Sequence, residues 1–195
     1  TMAQAKDAEE DGDAAEQEGA VEIVDYVMGD PDAPVTLVEY GSFTCPHCKD
    51  FHLGPLKRIK KEYIDSGKVK LIYREVYFDR FGLWAAMVAR CGGEESYFGL
   101  VDLLYEQQQE WLGGSDVQAI ANNLRKIGRT AGFSDEELDA CLTNQAKAEA
   151  MIAHYQENVT ADGVDSTPSF VIGGTTYNNM PYDEMAELLD AELEE

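Results

Sequence analysis

Val35-Thr36-Leu37-Val38-Glu39-Tyr40-Gly41-Ser42-Phe43-Thr44-Cys45-Pro46-His47-Cys48-Lys49-Asp50-Phe51-His52 is the stretch that decides the fold. Val35 to Tyr40 is short, apolar and β-branched, with Pro34 just before it, and reads as a buried strand. Pro46 suits the first position of a helix, where its missing N–H costs nothing and its fixed φ is already helical. Cys45 then faces the unpaired backbone N–H groups and the positive end of the helix dipole. A thiol held there is biased toward thiolate, its nucleophilic form. His47 adds a positive charge or a hydrogen bond when protonated. Cys48 lies one turn on, within reach of a disulfide to Cys45. The stretch reads as a strand, a loop and a helix opening on a redox dithiol.

The remaining composition narrows the classes of function. The chain has 195 residues, which suits one domain carrying an insertion. Its 38 acidic residues against 15 basic ones leave 38 − 15 = 23 net negative charges. Such a field repels phosphate backbones and anionic lipid headgroups, so no nucleic-acid or membrane-surface partner is expected. The densest apolar run, Leu83 to Ala89, falls far short of the roughly 18 residues that mark a membrane span. Residues 1–20 carry seven acidic side chains among Ala, Gln and Gly and read as a disordered leader, with a targeting segment removed upstream. A structural zinc site needs four ligands, and Cys91 and Cys141 sit apart on helical stripes, so neither metal nor cofactor is expected.

Taken in order, Val21 to Val27 alternates weakly and suggests an edge strand. The helix opening at Cys45 has an apolar face through Cys48, Phe51, Leu56, Ile59 and Tyr63, with a kink expected at Leu53-Gly54-Pro55. Lys68 to Tyr77 alternates as the next strand, parallel to the first if the crossover is right-handed. From Arg80 to Asn158 the spacing turns helical. Trp84, Met87, Val88 and Cys91 form one stripe, and Tyr97, Val101, Leu104, Gln108 and Trp111 a second. Val117, Ile120, Ala121, Leu124 and Ile127 form a third, with Ser115 as its expected cap. Ser134-Asp135-Glu136-Glu137 is a capping box opening a fourth helix, and Met151 and Tyr155 mark a fifth. Ser169-Phe170-Val171-Ile172, Gly173-Gly174 and Thr175-Thr176-Tyr177 read as a two-residue hairpin, preceded by Thr167-Pro168 and followed by a helix from Pro181 to about Leu193. His52 and His154 read as surface or internally satisfied residues.

In this order, Cys45-Pro46-His47-Cys48 and Val164-Asp165-Ser166-Thr167-Pro168-Ser169-Phe170 resemble the active site and cis-proline loop of the DsbA family of thiol:disulfide oxidoreductases. The resemblance covers residues 21–195. It implies an α/β fold, a thioredoxin-like mixed sheet with an inserted all-helical domain. Residues 21–78 and 160–195 would form the thioredoxin-like part and 79–159 the insertion. Cys45 would be the exposed nucleophile, Cys48 its buried resolving partner and His47 a stabiliser of the Cys45 thiolate. Pro168 would be cis, setting the Thr167 backbone beside the disulfide to pair with a substrate strand, and Glu39 would be the buried acid beneath the site. DsbA itself combines a nucleophile pKa of about 3.5 with a potential near −120 mV, against about −270 mV for thioredoxin.

The same resemblance implies a monomeric periplasmic oxidase. It would act on reduced or unfolded substrate proteins and be reoxidised by a membrane quinone-linked, DsbB-like partner. Disulfide isomerase or reductase duty is the alternative. Enterobacterial DsbA has Val before the cis-proline, whereas this chain has Thr167, as isomerase-type relatives do. Cys91 and Cys141 resemble the second disulfide of alphaproteobacterial relatives, and a structural bridge between them is the expectation.

Overall fold

The computed structural model describes residues 21–195; the acidic stretch 1–20 lies outside them. Five strands form one mixed sheet in the order β1-β3-β2-β4-β5. They are β1 (Val27–Met28), β2 (Val35–Gly41), β3 (Val69–Glu75), β4 (Ser169–Ile172) and β5 (Thr175–Asn178). The stretch read as a buried strand is the central one. It pairs in parallel with β3, Glu39 opposite Tyr73, and antiparallel with β4, Glu39 opposite Phe170. Along β2 the stripe Val35, Leu37, Glu39 shares one face, and a carboxylate continues what two aliphatic residues begin.

The helix that opens at Pro46 is broken where Gly54-Pro55 predicts, into α1 (Pro46–Leu53) and α2 (Pro55–Ile59), followed by a π-helical turn over Lys60–Ile64. Its expected apolar face holds, since Cys48, Phe51, Leu56, Ile59 and Tyr63 are all buried. The hairpin turn places Gly173 and Gly174 at φ of 58° and 78°. Two successive positive φ values match the right-handed twist of the flanking strands, and glycine reaches them without a Cβ clash.

Helices α3 (Arg80–Ala89), α4 (Glu94–Glu106), α5 (Gln108–Leu112), α6 (Val117–Thr130), α7 (Asp135–Leu142) and α8 (Gln145–Asp162) follow β3, and α9 (Tyr182–Leu193) closes the chain. The capping box at Ser134 and Glu137 is present in both directions. Three expectations are corrected. The edge strand over 21–27 shrinks to the two residues of β1, because Asp25 is drawn to Arg74 and the Tyr26 ring packs 4.8 Å from that of Tyr97. The second helical stripe is two helices rather than one, divided at Gln107; the Trp111 indole closes the joint by donating to the Leu104 carbonyl at 2.8 Å. Asp116, not Ser115, caps α6, its carboxylate accepting from the Ala119 N–H at 2.8 Å.

Two cores result. One packs α2, the π-helical turn and α9 against the sheet through Leu37, Ile59, Leu71, Phe170 and Leu189. The other lies inside the helical module and reaches Phe43, Cys48 and Tyr73. Arg90 at the end of α3 grips Glu75 through Nε at 2.6 Å and Nη2 at 2.8 Å, both side chains buried, and donates to the Val24 carbonyl. Cys91 and Cys141 form a disulfide across a separation of 50 residues, joining the end of α3 to α7. In the chain-entropy view a loop of that size stabilises by about 4 kcal/mol. The double variant Cys91→Ala/Cys141→Ala is therefore expected to stay folded but to melt roughly 8–16 °C lower by calorimetry. An unchanged Tm would show that the bridge contributes nothing to stability.

Candidate active site

The Ser42–Cys45 loop carries the chain from the end of β2 to α1, and each of its residues is pinned. Gly41 has to be small: a Cβ there would lie 2.7 Å from the Tyr73 ring and 3.2 Å from Glu39 Oε1. The Ser42 backbone N–H points at Cys48 Sγ at 3.5 Å. Thr44 donates its hydroxyl to Asp79, which also caps α3 through the Gly82 N–H. Gln108, reaching in from α5, donates its side-chain amide to the Phe43 carbonyl at 2.8 Å and the Cys45 carbonyl at 3.0 Å. The helical module thereby holds the loop that presents the dithiol. Gln108 was legible only as one member of an apolar stripe; an amide in that stripe was the available signal.

Cys45 is the N-cap of α1 and Pro46 its first residue. Both thiols are reduced here, Cys45 partly exposed and Cys48 buried. The Cys45 thiol is lowered to about 5, chiefly by a hydrogen bond with Cys48. Partial burial opposes this, while the Thr167 side chain and the backbone N–H groups of Cys48 and His47 add to it. The Cys48 thiol is driven far up, first by that same bond to Cys45, then by burial and the negative charge of Glu39. One proton is thus shared very unequally between two sulfurs. His47 acts on Cys45 through its backbone; its side chain, like Pro46, is exposed.

Pairing of Ser169 with Tyr40 sets the residue before β4 beside the end of β2. The Thr167–Pro168 peptide is cis, and the Thr167 carbonyl lies 3.7 Å from Cys45 Sγ. Residues 45 and 167, 122 apart in sequence, therefore form two walls of one site. A groove of about 350 Å³ runs alongside, lined by His47, Phe51, Pro55, Met180 and Pro181. A smaller hollow of about 110 Å³ lies on the Thr167 side, where Phe78 is 58% exposed.

Glu39 is wholly buried, as expected, but not alone. Both of its oxygens lie 2.8 Å from His52 Nε2. His52 is 2% exposed, so its reading as a surface residue is corrected; its reading as a satisfied one holds for Nε2, whereas Nδ1 has no hydrogen-bond partner among the described residues. The ring stacks on Tyr105 at 4.3 Å and meets Tyr73 edge-on at 5.2 Å. Its place four residues after Cys48, on the inward side of α1, was the signal.

Fold and site together define a thioredoxin-like dithiol protein with a helical insertion. A family model described as Thioredoxin matches residues 22–191. A Rickettsia typhi protein named as a protein-disulfide oxidoreductase is 33% identical over 172 residues, covering 88% of this chain and 63% of that relative. Disulfide bond formation protein D of Bacillus subtilis is 29% identical over 179 residues, covering 86% and 76%. The crystal structure of Wolbachia pipientis alpha-DsbA1 matches with a TM-score of 0.79 at 24% identity, covering 87% of this chain and 91% of that one. The chain belongs to this thioredoxin family and spans less than two thirds of the rickettsial relative's length.

Alkylation of the reduced protein with iodoacetamide should modify Cys45 with a midpoint at about pH 5 and leave Cys48 untouched at neutral pH. A midpoint near the ordinary thiol value of 9.0 would overturn the charge assignment.

Proposed function

We propose that this protein is a periplasmic thiol:disulfide oxidoreductase that introduces disulfides into reduced or unfolded substrate proteins. The observation that carries the reading is the inequality of its thiols: an accessible Cys45 lowered to about 5 above a buried, strongly protonated Cys48. A substrate thiolate attacks Cys45 Sγ of the oxidised protein. The Cys45–Cys48 bond breaks, and Cys48 leaves with the electron pair and takes up a proton. The substrate's second thiolate then attacks its own sulfur in the mixed disulfide, and Cys45 departs as a thiolate. Two electrons have passed to the protein, and the second substrate proton goes to solvent. Thr167's backbone, beside Cys45, suits a substrate strand laid across the site, and Phe51, Pro55, Met180 and Pro181 of the groove suit its apolar side chains.

The direction follows from which redox state gains. A lowered thiol contributes fully above its ordinary pKa of 9.0 and loses its contribution as pH falls through 5. At pH 7 the thiolate so favoured stabilises the reduced form, which is the sense of an oxidising dithiol. The Cys91–Cys141 bridge favours an oxidising compartment. A membrane quinone-linked, DsbB-like protein is the fitting reoxidant, and a monomer the fitting state. Thr167 before Pro168 supports isomerase or reductase duty as a second reading.

Equilibration with glutathione buffers separates the oxidising from the reducing direction. An oxidase should show a Cys45–Cys48 potential above about −210 mV, at least 60 mV or so beyond thioredoxin's, whereas a value near about −270 mV removes the oxidising direction. Cys45→Ser should abolish exchange and Cys48→Ser should accumulate mixed disulfides; turnover surviving either change contradicts the assigned roles.

A further inference from the structure

Each cycle puts a proton on Cys48 and must remove it again before Cys48 can attack, yet Cys48 is 0% exposed. The titratable groups around it come from four elements. Tyr73 of β3 and Tyr105 of α4 share a 2.6 Å hydrogen bond, and Tyr105 also donates to the Ser42 carbonyl. Burial holds both phenols far above their ordinary range, so neither hydroxyl is a base. Cys45 already holds a thiolate at the open face. What remains is Glu39 on β2 and His52 on α1, a wholly buried pair.

A carboxylate that accepts a proton in such a place has to pass it on, and the hydrogen bonds of Glu39 in this structure run to His52. His52 has a second nitrogen to pass it from. Nε2 is taken by Glu39, Nδ1 is buried without a partner among the described residues, and His52 borders a cavity of about 170 Å³. Met28, Phe98 and Leu56 form apolar parts of that cavity, while Lys57, Lys60 and Asp102 bring charge to it. An imidazole takes a proton on one ring nitrogen and releases one from the other.

Resting on the dithiol reading above, we propose that His52 is a positioning residue that carries the Cys48 proton from Glu39 to this cavity, so that Cys48 exchanges its proton through the far side of α1 and not through the substrate face. In reoxidation by a disulfide such as glutathione disulfide, the Cys45 thiolate first attacks, forming a Cys45–glutathione bond and releasing one glutathione thiolate. The Cys48 proton then moves to Glu39 and on through His52. The Cys48 thiolate attacks Cys45 Sγ, and the second glutathione thiolate leaves. The first step does not use His52 and the second does.

Stopped-flow measurement of both steps with glutathione disulfide tests this. His52→Gln keeps a hydrogen-bond donor toward Glu39 but cannot carry a proton. It should leave mixed-disulfide formation unchanged and slow resolution by about 10²-fold, the lower end of what a positioned acid–base group supplies. His52→Ala should slow the same step, and added imidazole should restore it. Unchanged resolution in His52→Gln overturns the proposal, as does equal slowing of both steps without imidazole rescue, the mark of a structural role. Should His52→Ala fail to fold, the ratio of the two steps in His52→Gln decides alone. Absence of the first step in the unaltered protein would instead sink the dithiol reading beneath it.

Discussion

The interaction between the Cys45 and Cys48 sulfurs decides how one proton is divided between them, and the surrounding architecture keeps that division lopsided. Backbone N–H groups at the start of α1 favour charge on Cys45; burial and the charge of Glu39 disfavour it on Cys48. Neither effect would survive a looser loop. The Phe43 carbonyl is held by the Gln108 amide, and the Cys45 carbonyl accepts both from that amide and from the Lys49 N–H of α1, so the loop is fixed from the helical module as well as by the helix it opens. The insertion is thus part of the site and not an ornament on it.

Much of this was readable in the sequence, and the parts that were share a property: they are local. Pro46 after Cys45, Gly54-Pro55, the Ser134 capping box and Gly173-Gly174 each state their geometry within four residues. The Thr167-Pro168 wall is distant, and it was reached through resemblance to a known family, since nothing in the spacing brings residue 167 to residue 45. What escaped was set by tertiary contacts. His52 has only its spacing from Cys48 as a local mark, and its residue type speaks for the surface; contact with Tyr105 from another helix completes its burial. The division of α4 from α5 at Gln107 escaped because the apolar stripe runs straight across it, whereas the chain there bends to turn Gln108 toward the Cys45 loop.

Buried charge is handled in the same manner at two points near the C-terminal end of the paired central strands. Glu75 faces Arg90, and Glu39 faces His52, each carboxylate bonded through both oxygens. An isolated carboxylate in such surroundings would cost several kcal/mol, so each partner is a condition for its glutamate. The partners differ in one respect that matters. Arginine keeps its proton throughout the accessible range, which makes Glu75–Arg90 a fixed clamp on the segment before β1. Histidine can give its proton up, which leaves Glu39–His52 able to change state beneath a sulfur that must do so twice per cycle.

Strand register ties these pieces together. Glu39 is inward because Val35 and Leu37 are, and Thr167 stands by Cys45 because Ser169 pairs with Tyr40. A slip of one residue along β2 would send Glu39 to the opposite face and bring Tyr40 or Val38 under Cys48 in its place. It would also separate Tyr40 from the Arg74 and Asp162 contacts that hold its hydroxyl on the other face. The sheet therefore stabilises one alignment from both of its faces at once. That alignment brings the dithiol, its buried acid and the Thr167 wall to one point, and the chemistry depends on the register of β2 as much as on the two cysteines.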